Sequence, residues 1–207
     1  MSSLTDLYKE IAACQRCILS KTATRAVPGE GPENARIMFI GEGPGFHEDQ
    51  QGRPFVGAAG QFLDNLLASI DIKREQVYIT NMVKHRPPNN RDPLPGEIAG
   101  CRPWLDKQIA IIRPKIIITL GRHSMELFFP GKSISKIHGT YIRKDGLICF
   151  AMYHPAAALH QQSLRQEIES DILKVRPLLN ELEKEPEPVK TEVKPEAKQE
   201  PKQLNLF

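Results

Sequence analysis

The sequence lacks any apolar run of membrane-spanning length, and its N-terminus lacks the basic-then-apolar order of a secretory signal. Both absences set the expectation of a cytoplasmic protein with no membrane partner. Cysteine is scarce, with Cys14, Cys17, Cys101 and Cys149 the four in 207 residues. In a reducing compartment, a Cys-x-x-Cys pair with a distant third cysteine points to metal or cluster ligation and away from disulfides. No Gly-Lys-Ser/Thr follows the glycine-rich stretch at 41–45, which excludes a Walker-type phosphate loop, and the glycine spacing fits the dinucleotide fingerprint poorly. A large charge excess is also missing, since the formal net charge is +3. Residues 181–207 hold seven Glu against five Lys, a net of −2 that leaves +5 for residues 1–180. A mildly basic globule is compatible with nucleic-acid binding.

What is present divides into three parts. Residues 1–182 have the length and apolar content of one domain with a full core. Residues 183–202 are Glu, Lys and Pro with almost nothing to bury, and are expected to be a disordered linker. Residues 203–207, Gln-Leu-Asn-Leu-Phe, close the chain as a short apolar peptide. Within the domain, Leu4, Leu7, Tyr8 and Ile11 recur at helical spacing behind a capping Ser3, which predicts a helix over 4–14 ending at the Cys14–Cys17 pair. Four short apolar runs read as strands: 37–40, 77–80, 115–120 and 147–152. Helical patterns over 61–70, from Trp104 to Ile112, and from about Ser163 to Leu182 alternate with them. The expected fold is therefore α/β, a three-layer α/β/α sandwich around a mainly parallel four-stranded sheet.

Polar residues sit just past these strands. Glu42 follows the first, Asn81 the second and His154 the fourth, on the edge where open α/β sheets build their sites. The turn Gly41-Glu-Gly-Pro-Gly45 leads on to Glu48, and Phe55 stands as a lone aromatic between Pro54 and Gly57. Arg53, Lys84, Arg86 and Arg122 form a basic set suited to salt-dependent phosphate contacts. His47 reads as surface and Cys149, inside a strand, as a core thiol.

Taken in order, GEGPGFHED, GRPFVGAAGQ, ITNMVKHRPP, Cys101 and YHPAAAL resemble the family 4 uracil-DNA glycosylases, the iron-sulfur branch of the uracil glycosylase superfamily. The resemblance covers nearly everything from Leu4 to about Leu182. It implies a monofunctional DNA repair enzyme that flips uracil out of DNA and hydrolyses its N-glycosidic bond, leaving an abasic site. It also implies site roles. His154 donates to the O2 of the departing uracil anion, Asn81 reads the base with its carboxamide, and Phe55 is the stacking platform. Glu42 and Gly43 match pocket residues of the first motif. Glu48 orients water, stabilises the sugar cation or excludes thymine's methyl. Leu159 is the candidate wedge that fills the gap left by the flipped base.

The same resemblance assigns a four-cysteine cluster, of which Cys14, Cys17 and Cys101 match three ligands while His85 stands at the fourth position. Histidine ligates iron in Rieske centres, so the expectation is a 4Fe-4S cluster with Cys3His ligation, with structural zinc or a labile three-cysteine cluster as alternatives. The rival function is a non-catalytic module that binds uracil or damaged DNA and uses its cluster for stability or redox sensing. Residues 203–207 resemble the QLxLF peptide with which bacterial repair proteins bind the polymerase sliding clamp. Leu206 and Phe207 would fill an apolar pocket, with Leu204 beside them and Gln203 bonding at the rim. The expected state is a monomer in the nucleoid.

Overall fold

A computed structural model of the chain describes residues 3–184. The peptide expected at 203–207, and all but the first two residues of the linker expected at 183–202, lie outside the described residues. Those first two continue the last helix.

The chain opens with α1 (Leu4–Ala12), capped as expected by Ser3, whose hydroxyl accepts from the Asp6 amide at 3.1 Å, and continues through α2 (Leu19–Thr22). Then follow β1 (Ile37–Gly41), α3 (Phe46–Gln51), α4 (Ala58–Ser69), β2 (Tyr78–Asn81), α5 (Pro95–Ile112) and β3 (Ile116–Leu120). Next come the short α6 (Arg122–Glu126) and α7 (Ile134–Ile137), the hairpin of β4 (Tyr141–Lys144) and β5 (Leu147–Met152), and α8 (Pro155–His160), α9 (Gln162–Leu173) and α10 (Val175–Lys184). The sheet order is β2-β1-β3-β5-β4, parallel throughout except for β4, which pairs antiparallel with β5.

Successive strand residues bury against opposite layers, which is why the strands read as unbroken apolar runs. Ile37 and Phe39 of β1, Ile116 and Ile118 of β3, and Ile148 and Phe150 of β5 pack with Phe62, Leu66 and Leu67 of α4, Ile168 and Ile172 of α9, and Leu178 of α10. On the other face Met38, Ile40 and Ile117 meet Leu7 and Ile11 of α1 and Trp104, Leu105 and Ile112 of α5. Cys149 joins this second side as a buried core thiol with Met125 and Phe129, and burial pushes its pKa up to about 11.

The structure departs from the pattern legible in the sequence at four places. A fifth strand, β4, joins the sheet edge, and its four residues are all exposed, so no burial pattern marks it. Helix α5 begins at Pro95, so Cys101 lies inside it and not before it. The single helix expected from Ser163 to Leu182 is two, broken at Lys174. Pro177 explains the break, because its ring collides with the carbonyl four residues earlier, that of Leu173. The turn after β1 also winds into a helix, α3, which no apolar periodicity announces.

Candidate active site

The carboxyl ends of β1, β2 and β5 open into one cleft of about 370 Å³. Glu42, Gly43, Glu48, Phe55, Asn81 and His154 all line it. Between β2 and β3, with β1 at the reversal of strand order, this is where ligands bind in open α/β sheets.

His154 caps α8. Its Nδ1 accepts the Ala156 amide at 3.1 Å, which fixes the tautomer and leaves the proton on Nε2. Burial depresses the imidazole pKa from 6.5 to about 4, against the opposing charge of Glu48. The ring is thus a neutral donor at ordinary pH. It lies stacked on Phe55, with centroids 5.5 Å apart and planes at 27°.

Phe55 holds a left-handed backbone, φ 52°, which is uncommon outside glycine. Two glycines accommodate it. A Cβ on Gly60 would stand 1.9 Å from the Phe55 carbonyl oxygen, and one on Gly41 would stand 2.7 Å from the Phe55 ring and 2.3 Å from Asn81 Oδ1. Asn81 is 1% exposed, and its Oδ1 is buried without a hydrogen-bond partner. A buried acceptor left unpaired costs about 1–3 kcal/mol, so Asn81 Oδ1 is suited to accept from a donor on a ligand.

The two glutamates differ. Glu48 Oε1 accepts the amides of Val56 and Gly57 at 2.8 and 3.0 Å, and Oε2 accepts that of Gly45 at 3.1 Å. It clamps the start of α3 to the start of α4. Glu42 makes no such bonds, and burial raises its pKa, with His123 opposing and Asp92 adding. Glu42, Asp92 and His123 gather within 4.8 Å of one another, where the Arg122 guanidinium already pairs with Asp92 and bonds His123. Asp92 and His123, together with Asn90 and Arg91 at the cleft wall, escaped the sequence reading. The proline-rich loop of Asn90, Arg91 and Asp92 offers no periodicity, and only the left-handed Asn89 and Asn90, both φ 54°, carry a local signal, while His123 stands in the short α6.

Among the basic residues, Lys84 is corrected outright. It is fully buried, its Nζ bonded to Thr80, Asn81 and Gln108, and cannot reach a phosphate. Arg53 is exposed but forks onto Glu30 at 2.7 and 3.1 Å. Arg86 lies over the exposed ring of Phe46 and bonds Asn90, while Arg122 is 63% exposed. Leu159 is exposed on α8, five residues beyond His154. His47 is exposed.

The cysteine set lies on the α1 and α5 side. Cys14 and Cys101 are buried, Cys17 is half-buried, and both Cys14 and Cys17 act on the Cys101 thiol, which burial pushes up to about 11. Cys14 accepts from Trp104 Nε1 at 3.2 Å and lines a second cavity with His85, whose Nδ1 is buried and unpartnered. Among the described residues, no three of these four bring their ligand atoms within 4.8 Å of one another. One tetrahedral zinc needs sulfurs about 4 Å apart, given Zn–S bonds near 2.3 Å. The buried, unpartnered His85 Nδ1 beside the Cys14 thiol makes this donor set chemically suited to an iron or zinc group.

Comparison with known proteins agrees with this geometry. The family model of the uracil DNA glycosylase superfamily matches residues 28–175. The type-4 uracil-DNA glycosylase of Sulfurisphaera tokodaii is 50% identical over 188 residues, covering 86% of this chain and 86% of the relative. That of Archaeoglobus fulgidus is 46% identical over 184 residues, 84% and 92% of the two chains, and that of Thermotoga maritima 44% over 179 residues, 84% and 93%. The chain belongs to the uracil-DNA glycosylase superfamily and, within it, to the type-4 family.

Proposed function

We propose that the cleft excises uracil from DNA by hydrolysis of the N-glycosidic bond. One observation carries the reading: a neutral histidine donor and an unpartnered buried carboxamide oxygen share a cleft with an aromatic face. Uracil departs as an anion while positive charge grows on the sugar. His154 Nε2–H donates to uracil O2 as charge accumulates there, and does so as a fixed dipole with no reorganisation. Asn81 Oδ1 accepts the N3–H and its amide donates to O4, a pattern cytosine cannot match. Phe55 stacks on the flipped base.

Glu42 is the water-orienting group. Its carboxylate lines the cleft beside His123 and Asp92 without backbone hydrogen bonds, and burial makes it more basic than an ordinary glutamate. Glu48, with three backbone amides bound, holds the pocket's shape and lends negative charge near His154. The enzyme is monofunctional, since Lys84, the lysine beside Asn81, is held by three acceptors out of reach of the sugar.

Cys14, Cys17, Cys101 and His85 hold a 4Fe-4S cluster, whose contribution when bound is structural. It ties the end of α1 to the loop after β2, and so supports the loop that carries Arg86. Arg86, Arg122 and Arg53 contact phosphates, and Leu159 fills the vacated stack. Residues 203–207 bind the sliding clamp and bring the monomeric enzyme to newly copied DNA at high local concentration.

The test is incubation with a single-uracil oligonucleotide, followed by alkali. Strand breaks only after alkali support the reading. Tight binding with an alkali-resistant product would instead favour a non-catalytic binding module.

A further inference from the structure

Phe46 is 52% exposed and belongs to none of the hydrophobic clusters, so the core gives it no role. A single exposed apolar side chain needs no explanation by itself. This one has a defined setting. It opens α3 directly after Gly45 and two residues before Glu48, both of which line the cleft. The Arg86 guanidinium lies over its ring, 5.2 Å from the centroid, and the His47 ring stands at 78° to it with centroids 5.5 Å apart. Arg86 Nε donates to Asn90 Oδ1 at 2.7 Å, and Asn90 lines the same cleft. Among the described residues, that bond leaves both terminal nitrogens of Arg86 without a partner. An aromatic ring and a guanidinium with free donors are thus held together at the cleft rim, tied to its lining through Gly45 and Asn90.

A π-face for a base beside a free cation for its phosphate is the combination that holds single-stranded nucleic acid. The site's position selects which base. A nucleotide flipped into the cleft leaves its same-strand neighbours at the rim, and flipping strips each neighbour of its stack on uracil. In a duplex those neighbours keep their pairing with the opposite strand. In a single strand nothing restores the lost stack except the protein. We propose that Phe46 and Arg86 form a second subsite for the nucleotide next to uracil on the same strand, whose base stacks on Phe46 and whose phosphate pairs with Arg86. Phe55 and Phe46 then receive two successive bases, one inside the cleft and one at its rim. The inference rests on the reading of the cleft as a uracil pocket.

The test is a cycle in which the protein loses the ring and the DNA loses the base. Wild type, Phe46→Ala and Phe46→Tyr are titrated with single-stranded oligonucleotides carrying 2′-fluoro-2′-deoxyuridine, whose fluorine suppresses the sugar cation and so blocks cleavage. The nucleotide on its 5′ side, its 3′ side or neither is replaced by a tetrahydrofuran spacer, which keeps the phosphate and lacks the base. Removing the base on one side should weaken wild-type binding about tenfold. Phe46→Ala should bind the base-bearing oligonucleotide about tenfold more weakly than the wild type, and should lose nothing further when the base is removed. Phe46→Tyr keeps a π-face and should retain the wild-type pattern. The wild-type arm needs no variant, so an unstable Phe46→Ala leaves it decisive: equal wild-type binding with and without the base on both sides would overturn the subsite. An equal further loss from Phe46→Ala when the base is removed would also overturn it, as would coupling found only with the base opposite uracil in a duplex. A wild type that holds thymidine as tightly as the fluorinated uridine would instead overturn the uracil pocket itself, whatever the neighbouring base does.

Discussion

A histidine that stabilises an anion can do so as a cation or as a neutral donor, and the two leave different pH signatures. In the folded chain burial holds His154 neutral down to about pH 4, whereas an unfolded imidazole protonates near 6.5. Excision should therefore show no inflection near 6.5 from this residue, and should lose the neutral donor only as pH falls through about 4. The same group links to stability. Its contribution is complete above 6.5 and is lost as pH falls through about 4, because the unfolded state binds the proton first. A His154→Gln variant should flatten the melting temperature over that window, and an unchanged profile would contradict the assignment. His154→Ala should lower the single-turnover rate by about two to four orders of magnitude. Asn81→Asp should admit cytosine, since an acceptor replaces a donor opposite position 4, and no cytosine release from the variant would remove Asn81 as reader. The strand-end positions of Glu42, Asn81 and His154 were legible because each polar residue follows an apolar run. Burial of Lys84 was not legible, since its acceptor Gln108 lies 24 residues further along and a lysine in a proline-rich loop reads as solvated.

Elements place these groups through contacts that periodicity does not report. Glu48 joins the starts of α3 and α4 through three backbone amides, and charge-assisted bonds of this kind are each worth about 1.5–3 kcal/mol. Glu48→Ala should lower thermal stability and displace Phe55, whereas Glu42→Gln should lower the rate about a hundredfold at wild-type stability. Unfolding curves and single-turnover rates on both variants separate the two roles, and reversed outcomes would exchange them. The missed strand β4 had a signal in Asp145-Gly146, both at positive φ (52° and 77°), the two-residue turn that closes a hairpin. Four exposed residues on one edge obscured it. The four remaining strands were legible because both faces are buried, which leaves apolar runs that end abruptly at the site.

On the scale of the whole molecule, the exposed Arg122 and Leu159 and the Arg86–Phe46 pair are the surface groups on which the proposed DNA contact relies. Removing residues 203–207 should abolish capture by an immobilised sliding clamp and leave excision from a short free oligonucleotide unchanged. Loss of that excision would make the peptide part of the catalytic domain. The central claim is that this pocket breaks the glycosidic bond of uracil through His154 and selects the base through Asn81. It is tested most directly by quantifying free bases released from matched oligonucleotides carrying uracil, cytosine or thymine. Wild type should release uracil alone, His154→Ala nearly none, and Asn81→Asp uracil together with cytosine. Uracil release that survives in His154→Ala at the wild-type rate, or no release by the wild type, would contradict the account.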